Sequence, residues 1–222
     1  MGVPTSLFSS SPAPGRDWVL SQTIRFDPVD LRSKLPDPRM WPAELDDLAV
    51  GEGKYRLIAR RDVFAIAERA AHGGSSWAVA QLHVACIAWG TSPGQTLIRA
   101  LRPMHEAGVA DKLAKGLDLA QREGPVSAYR ALGGGGRFKV RYLAAGFFTK
   151  LLYFGGYDTK PLLGRPLIYD SNVVAALNKW TNDTWKVDGP AEMYSRYLDL
   201  AADWASEAGT DADVVERALF GR

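Results

Sequence analysis

Lys150 and Asp170 are the two residues whose types and spacing are best suited to chemistry in this sequence. Lys150 follows a tight connector, residues 144–146, and we predict a helix over residues 147–154 that places it in the first turn. An ammonium is disfavoured there, because the start of a helix carries a partial positive charge. A partly apolar site would disfavour the ammonium further. Both effects favour a neutral, nucleophilic amine.

Asp170 follows Lys150 after twenty positions and directly precedes a helix predicted from Ser171 to about Trp180. The free backbone amides at the start of that helix would keep its carboxylate ionised, so it could stabilise a positive charge developing nearby. Either residue alone is more often a surface lysine or a simple helix cap. Together, a nucleophilic amine and a fixed carboxylate suit attack at an electrophilic sugar carbon with oxocarbenium character.

The sequence around these residues resembles the helix-hairpin-helix DNA glycosylase superfamily, in particular its 8-oxoguanine glycosylase branch. The resemblance lies in FFTKLLYF, residues 147–154, and PLIYD, residues 166–170. It is closest to bacterial proteins described as having an 8-oxoguanine glycosylase fold, and the archaeal 8-oxoguanine glycosylases are also similar here. Val173 matches the Val of the family's Asp-x-x-Val turn, so the similarity covers about thirty residues, 143–173.

The resemblance implies a DNA glycosylase with AP lyase activity on an oxidised or otherwise modified base in double-stranded DNA. Such an enzyme must flip the nucleotide out of the duplex to reach its glycosidic bond. By resemblance, Lys150 forms a Schiff base at C1′, Asp170 stabilises the sugar cation, and β-elimination nicks the strand. The implied mechanism needs no metal or other cofactor. Two alternatives stay open: a non-catalytic DNA-binding protein with the same fold, and a glycosylase directed at modified bases of foreign DNA.

The hairpin departs from the usual Gly-x-Gly-x-Lys pattern, whose backbone amides grip a DNA phosphate. Gly146 fits the first glycine, but Phe148 stands at the second, and Ala144 stands where relatives often have glycine. A bulky phenylalanine cannot act as a bare backbone cradle. The archaeal branch shows a similarly altered hairpin, so the departure is compatible with activity.

Further site candidates surround the hairpin, and each has a structural alternative. For DNA contact we name Gly146, Thr149, Arg137, Lys139, Arg141 and Lys160. For the four basic residues among them, the alternative is a charged face exposed to solvent. For stacking on a flipped base we name Phe147, Trp89 and Trp180, and also Trp185, with core packing as the commoner job of an aromatic residue.

Composition excludes several other classes of protein. Cys86 is the only cysteine, which rules out an intrachain disulfide, a cysteine zinc finger and a four-cysteine iron–sulfur cluster. The three histidines form no zinc-hydrolase or zinc-deaminase pattern. Residues 122–170 carry eight basic and three acidic residues, and residues 171–222 carry five and nine, a weak indication of a surface that faces a polyanion. With no long apolar run and no signal peptide, we expect a cytoplasmic protein that makes no membrane contact, and one associated with the nucleoid if the source is bacterial. The resemblance implies a monomer.

Helical periodicity dominates after residue 54, so we predict a mostly α fold of eight to ten helices. The resemblance implies that they form a helix-hairpin-helix glycosylase-like fold of two helical lobes with a cleft between them. Residues 1–15 are predicted as a disordered leader and 16–222 as one domain, with the hairpin motif at about 138–155 and the Asp-bearing loop and helix at 156–180. Further predictions are a strand within 18–26, a helix capped by Ser75 or Ser76 and a short helix over 138–143. A helix over 191–208 and another capped by Thr210 complete them. The four glycines 133–136 predict a joint between helices, because the phosphate-loop fingerprint is absent.

Overall fold

The computed structural model describes residues 2–8, 12–73, 75–91, 94–159 and 163–221, and within these ranges the chain is mostly α-helical. The predicted fold class is therefore confirmed, whereas two lobes with a cleft stay a prediction. The helices are α1 (Arg16–Leu20), α2 (Pro28–Ser33), α3 (Arg60–Gly73), α4 (Ser76–Gly90), α5 (Gln95–Leu101), α6 (Val109–Glu123), α7 (Pro125–Leu132), α8 (Ala145–Gly156), α9 (Ser171–Trp180), α10 (Ala191–Ala208) and α11 (Ala212–Phe220). In the described residues, no helix combines the length and apolarity that crossing a membrane requires.

Helix α4 lies at the centre of the fold, in contact with α3, α6 and α8. It is apolar around its whole circumference, and a helix of that kind is stable only when other elements cover it. The predicted cap is confirmed, because the Ser75 hydroxyl accepts the Trp77 backbone N–H at 3.2 Å. The neighbouring helices are thereby held around one common core.

A small antiparallel sheet lies beside this core and pairs β1 (Thr23–Phe26) with β2 (Arg56–Ala59). Its register places Ile24 opposite Ile58. The strand predicted within 18–26 covers only the second half of that range, because residues 16–20 form α1. The sequence analysis did not predict β2.

The helix predicted over residues 138–143 is absent, and this segment forms hydrogen-bonded turns instead. Tyr142 has a φ of 66°, which a right-handed helix cannot contain. The segment is held at both ends, since the Phe138 N–H donates to the Ala131 carbonyl at 2.8 Å and the Arg141 N–H donates to Glu106 at 2.6 Å. The first helix of the predicted hairpin is thus replaced by a fixed loop.

The C-terminal helices follow the prediction closely, with one shift of a cap. Helix α10 spans the predicted residues, but α11 begins after Asp211 rather than Thr210. The Thr210 hydroxyl donates to the Pro14 carbonyl at 2.7 Å, so it is unavailable as a cap. Asp213, three positions after Thr210, is buried and accepts the Tyr153 hydroxyl at 3.1 Å.

The described part of residues 1–15, predicted as a disordered leader, makes defined contacts with the helical body. The Val3 N–H donates to the Glu207 carboxylate at 2.9 Å, and the Leu7 side chain belongs to the buried core. These contacts join the start of the described chain to α10.

Candidate active site

The Lys150 amine and the Asp170 carboxylate form a buried pair between α8 and α9. Lys150 Nζ lies 2.8 Å from Asp170 Oδ2, and it donates a second hydrogen bond of 2.8 Å to the Gly146 carbonyl. Only 3% of the lysine side chain is exposed. The predicted meeting of these two groups is therefore present, with the amine inside the protein rather than on its surface.

Helix α8 begins at Ala145, two residues before the predicted start, so Lys150 lies in its second turn. The influence of the helix dipole falls off within the first turn, and the expected weakening of the ammonium by that dipole is correspondingly small. The Asp170 carboxylate is instead the charged group in contact with the amine, at 2.8 Å.

Asp170 is fixed by the start of α9 as well as by the lysine. Its Oδ1 atom accepts the backbone N–H groups of Asn172 at 3.1 Å and Val173 at 3.2 Å, the geometry of a helix cap. Burial acts to raise the pKa of Asp170, but the charge and hydrogen bond of Lys150 outweigh it, so the pKa lies below its ordinary value. The carboxylate is consequently ionised at neutral pH, as predicted.

Thr149 joins the two segments that carry the pair and is fully buried instead of facing DNA. Its hydroxyl donates to the Ala145 carbonyl at 2.6 Å and accepts the Tyr169 N–H at 3.0 Å. The second of these hydrogen bonds connects Thr149, directly before Lys150, to Tyr169, directly before Asp170. Thr149 thus sets the register of the catalytic candidates, a role that its neighbours in sequence do not reveal.

Two glycines allow the pair to fit against the surrounding backbone. A Cβ at Gly90, the last residue of α4, would lie 2.8 Å from Lys150 Cε and 2.9 Å from its Cδ. A Cβ at Gly146 would lie 3.1 Å from the Cβ of Asp170. Sequence analysis assigned Gly146 to a DNA phosphate and gave Gly90 no role at the site, so both close approaches were missed.

The predicted base-pocket aromatics lie in different environments. Phe147 is half-buried, and its ring centroid lies 5.9 Å from Lys150 Nζ. Trp180 is half-buried at the end of α9, under the Lys179 amine. Trp89 instead belongs to the core: it is 1% exposed, donates to the Gln22 carbonyl at 3.1 Å and offers no face to a base. Phe147 is therefore the one of the three that lies at the amine.

Trp185, the fourth aromatic considered, is buried and donates from its indole nitrogen to the Thr181 hydroxyl at 2.7 Å. It too is a packing residue in this structure.

The predicted basic contacts Arg137, Lys139 and Arg141 are all exposed and lie together on the loop that precedes α8. Lys160 lies outside the described residues. Binding of DNA by these three basic side chains stays a prediction. Their position close to the helix that carries Lys150 is compatible with it.

Asp188 occupies the start of α8, which sequence analysis did not anticipate. Its Oδ1 atom accepts the Ala145 N–H at 2.5 Å, across 43 positions of sequence, and its φ is 57°. The side chain of Phe148 is buried, with its ring edge-on to Tyr129 at 5.1 Å. A carboxylate of the protein therefore already caps the helix end that carries the altered hairpin.

A comparison with known protein families gives a match that spans most of the chain. The family described as "Putative 8-oxoguanine DNA glycosylase OGG-like protein" matches residues 17–220, and the chain belongs to that family. This assigns it to the DNA glycosylases at the level of the family. Neither the curated proteins nor the solved structures gave a match.

Proposed function

We propose that this protein is a DNA glycosylase with AP lyase activity, in which Lys150 is the nucleophile and Asp170 the electrostatic partner. The observation that carries the proposal is the buried 2.8 Å contact between the amine and the carboxylate. A buried ion pair costs desolvation energy that a well-packed apolar pair would avoid, so it is weak evidence of a stabilising role. A chemical role gives a reason for it, and family membership supplies the reaction class.

The proposed reaction begins with a flipped nucleotide, because its C1′ atom is out of reach inside the stacked duplex. As the bond from C1′ to the base breaks, the base takes the bonding electrons and the sugar becomes cationic. The Asp170 carboxylate stabilises that cation through charge. Its low pKa suits this role better than the role of a general base.

The Lys150 amine must lose one proton before its lone pair can form the bond to C1′. The departing base carries the negative charge and is the natural acceptor of that proton. Opening of the sugar ring then gives an imine between the lysine and C1′. In the last step a base removes the proton from C2′, and the C3′–O bond breaks with the 3′ phosphate as leaving group.

Borohydride trapping on a duplex with one abasic site tests the nucleophile directly, because borohydride reduces the imine to a stable adduct of protein and DNA. We expect an adduct with the wild type and none with Lys150→Gln. Lys115→Gln is the matched control, since it removes an exposed lysine from α6 and should trap normally. An adduct of normal yield with Lys150→Gln, or none with the folded, DNA-binding wild type, would refute the Schiff base.

A panel of duplexes, each with one modified base, tests the substrate class. Release of 8-oxoguanine is expected from the family description. Cleavage of 8-oxoguanine alone would contradict the hypothesis of action on foreign DNA bases. Binding without base release or trapping anywhere in the panel would instead establish the alternative, a non-catalytic DNA-binding protein.

A further inference from the structure

Tyr142 lies in the loop before α8, and the side chains of two arginines lie over its ring. The guanidinium carbon of Arg102 lies 3.4 Å from the ring centroid, and that of Arg141 lies 4.7 Å from it. Arg102 follows α5, forty positions earlier in the sequence, so the cluster joins two distant parts of the chain. We call these three residues the Tyr142 cluster.

The backbone of Tyr142 is strained for a residue that contributes so little to the core. Its φ of 66° is unfavourable for a bulky side chain, yet 45% of the residue is exposed. Such strain persists only where surrounding contacts impose it, and it is concentrated at functional sites. Here the Arg141 N–H bound to Glu106 supplies one of those contacts, and burial of the ring does not explain the conformation.

The charges of the Tyr142 cluster are available to an external anion. Arg102, Arg141 and the neighbouring Lys139 are exposed, and none of them makes an ion pair within the part of the chain that the structure describes. The nearby Glu106 is already engaged by the Lys112 amine at 2.5 Å. A guanidinium stacked on a ring uses its flat face, which leaves its N–H groups free to donate in the plane.

We propose that the Tyr142 cluster binds phosphates of the DNA duplex, with the ring holding Arg102 and Arg141 in position. This inference rests on the proposed function and assigns the phosphate contact to side chains. The alternative location, the start of α8, is occupied by the Asp188 carboxylate, which would repel a phosphate. Orienting an arginine in advance reduces the entropy lost when it binds.

The Tyr142 cluster lies close enough to the amine for one duplex to contact both. Lys150 Nζ is hydrogen-bonded to the Gly146 carbonyl, and Gly146 follows Tyr142 by four residues. Four extended residues span at most about 14 Å, which corresponds to roughly four base-pair steps of DNA. A phosphate bound by the Tyr142 cluster would therefore be a near neighbour of the flipped nucleotide.

The test measures binding of the full chain to an undamaged duplex by fluorescence anisotropy, between about 50 and about 200 mM KCl. Arg102→Gln should make the slope of log affinity against log salt concentration less negative by about 0.9, because one phosphate contact is lost. The loss of affinity should then be about threefold larger at the low salt concentration than at the high one. Arg25→Gln is the matched control, since Arg25 also lies over a tyrosine, Tyr55, but on β1.

Tyr142 itself is tested by a pair of substitutions. Tyr142→Gly removes the ring but suits the left-handed backbone, so the protein should stay folded and bind undamaged DNA about two- to tenfold more weakly. Tyr142→Phe keeps the ring and should bind like the wild type.

The proposal is overturned if Arg102→Gln and Tyr142→Gly bind as tightly as the wild type, or if Arg25→Gln changes the slope equally. It is also overturned if the wild type does not bind DNA at low salt. Failure of the proposed function looks different. In that case the variants lose affinity as expected, but the wild type gives no borohydride adduct.

Discussion

The substitution Thr149→Val isolates the hydroxyl that joins the segments carrying Lys150 and Asp170. Valine has nearly the volume of threonine, so the core stays filled, but two hydrogen bonds are lost. The Tyr169 N–H is left buried without its 3.0 Å partner, and an unpaired buried donor costs about 1–3 kcal/mol. We expect the free energy of unfolding to fall by that amount, and Thr149→Ser, which keeps the hydroxyl, to lose less.

The measurement is urea unfolding followed by the rate of borohydride trapping, under conditions where each variant is folded. If Tyr169 relaxes by about half an ångström, Asp170 moves with it, and the trapping rate of Thr149→Val should fall on the order of tenfold. The control is Thr159→Val, at an exposed threonine whose hydroxyl donates to the Gly156 carbonyl. Its free energy of unfolding should change by less than about 0.5 kcal/mol. A Thr149→Val protein as stable and as reactive as the wild type would refute the role of the hydroxyl in setting the register.

Two further predictions concern the core around α4. Gly90→Ala places a methyl group against the side-chain carbons of Lys150, so the yield of borohydride trapping should fall. Gly15→Ala, with open space around its Cβ, should trap normally. Equal trapping by the two variants would contradict the need for a glycine at position 90. Burial lowers the pKa of His83 to about 4 from 6.5, so the unfolded chain takes up the proton first as the pH falls through that window. At pH 5 the free energy of unfolding should be about 2 kcal/mol lower than at pH 7, measured by urea unfolding. In His83→Leu, most of this difference in the free energy of unfolding between pH 5 and pH 7 should disappear. A pH dependence as large as that of the wild type would show that other groups cause it.

Features set by local sequence were predictable in this chain. Helix α9 follows directly from Asp170, whose side chain caps it, and α10 follows from the spacing of its apolar residues over 191–208. The pairing of Lys150 with Asp170 came from a different source, the resemblance of a short motif to a known family. Capping and periodicity alone would have left both residues as surface charges.

Features set by distant contacts were not predictable. The start of α8 depends on Asp188, and the role of Thr149 depends on Tyr169, neither of which is adjacent in sequence. The false helix over 138–143 has the same cause, because the contact of Arg141 with Glu106 holds a turn there. The sequence pattern of the loop itself does not indicate the contact of Arg141 with Glu106.

Buried charge was the other gap in the sequence analysis. Arg60 and Glu216 form a fully buried ion pair, with Arg60 also bound to Gln22 at 2.8 Å. Its guanidinium lies 4.7 Å from the centre of the Trp89 ring. This cluster explains why Trp89 is a core residue, although the sequence analysis named it for stacking on a flipped base.

The near-complete cover of Lys150 has a consequence for unwanted reactions. An amine that condenses with a sugar aldehyde will condense with any small aldehyde that reaches it, and it will also react with acylating metabolites. With 3% of its side chain exposed and two acceptors on its amine, Lys150 is shielded from both, whereas exposed lysines such as Lys115 meet them freely. Under the proposed mechanism, this cover protects the nucleophile from chemical modification before it meets its DNA substrate.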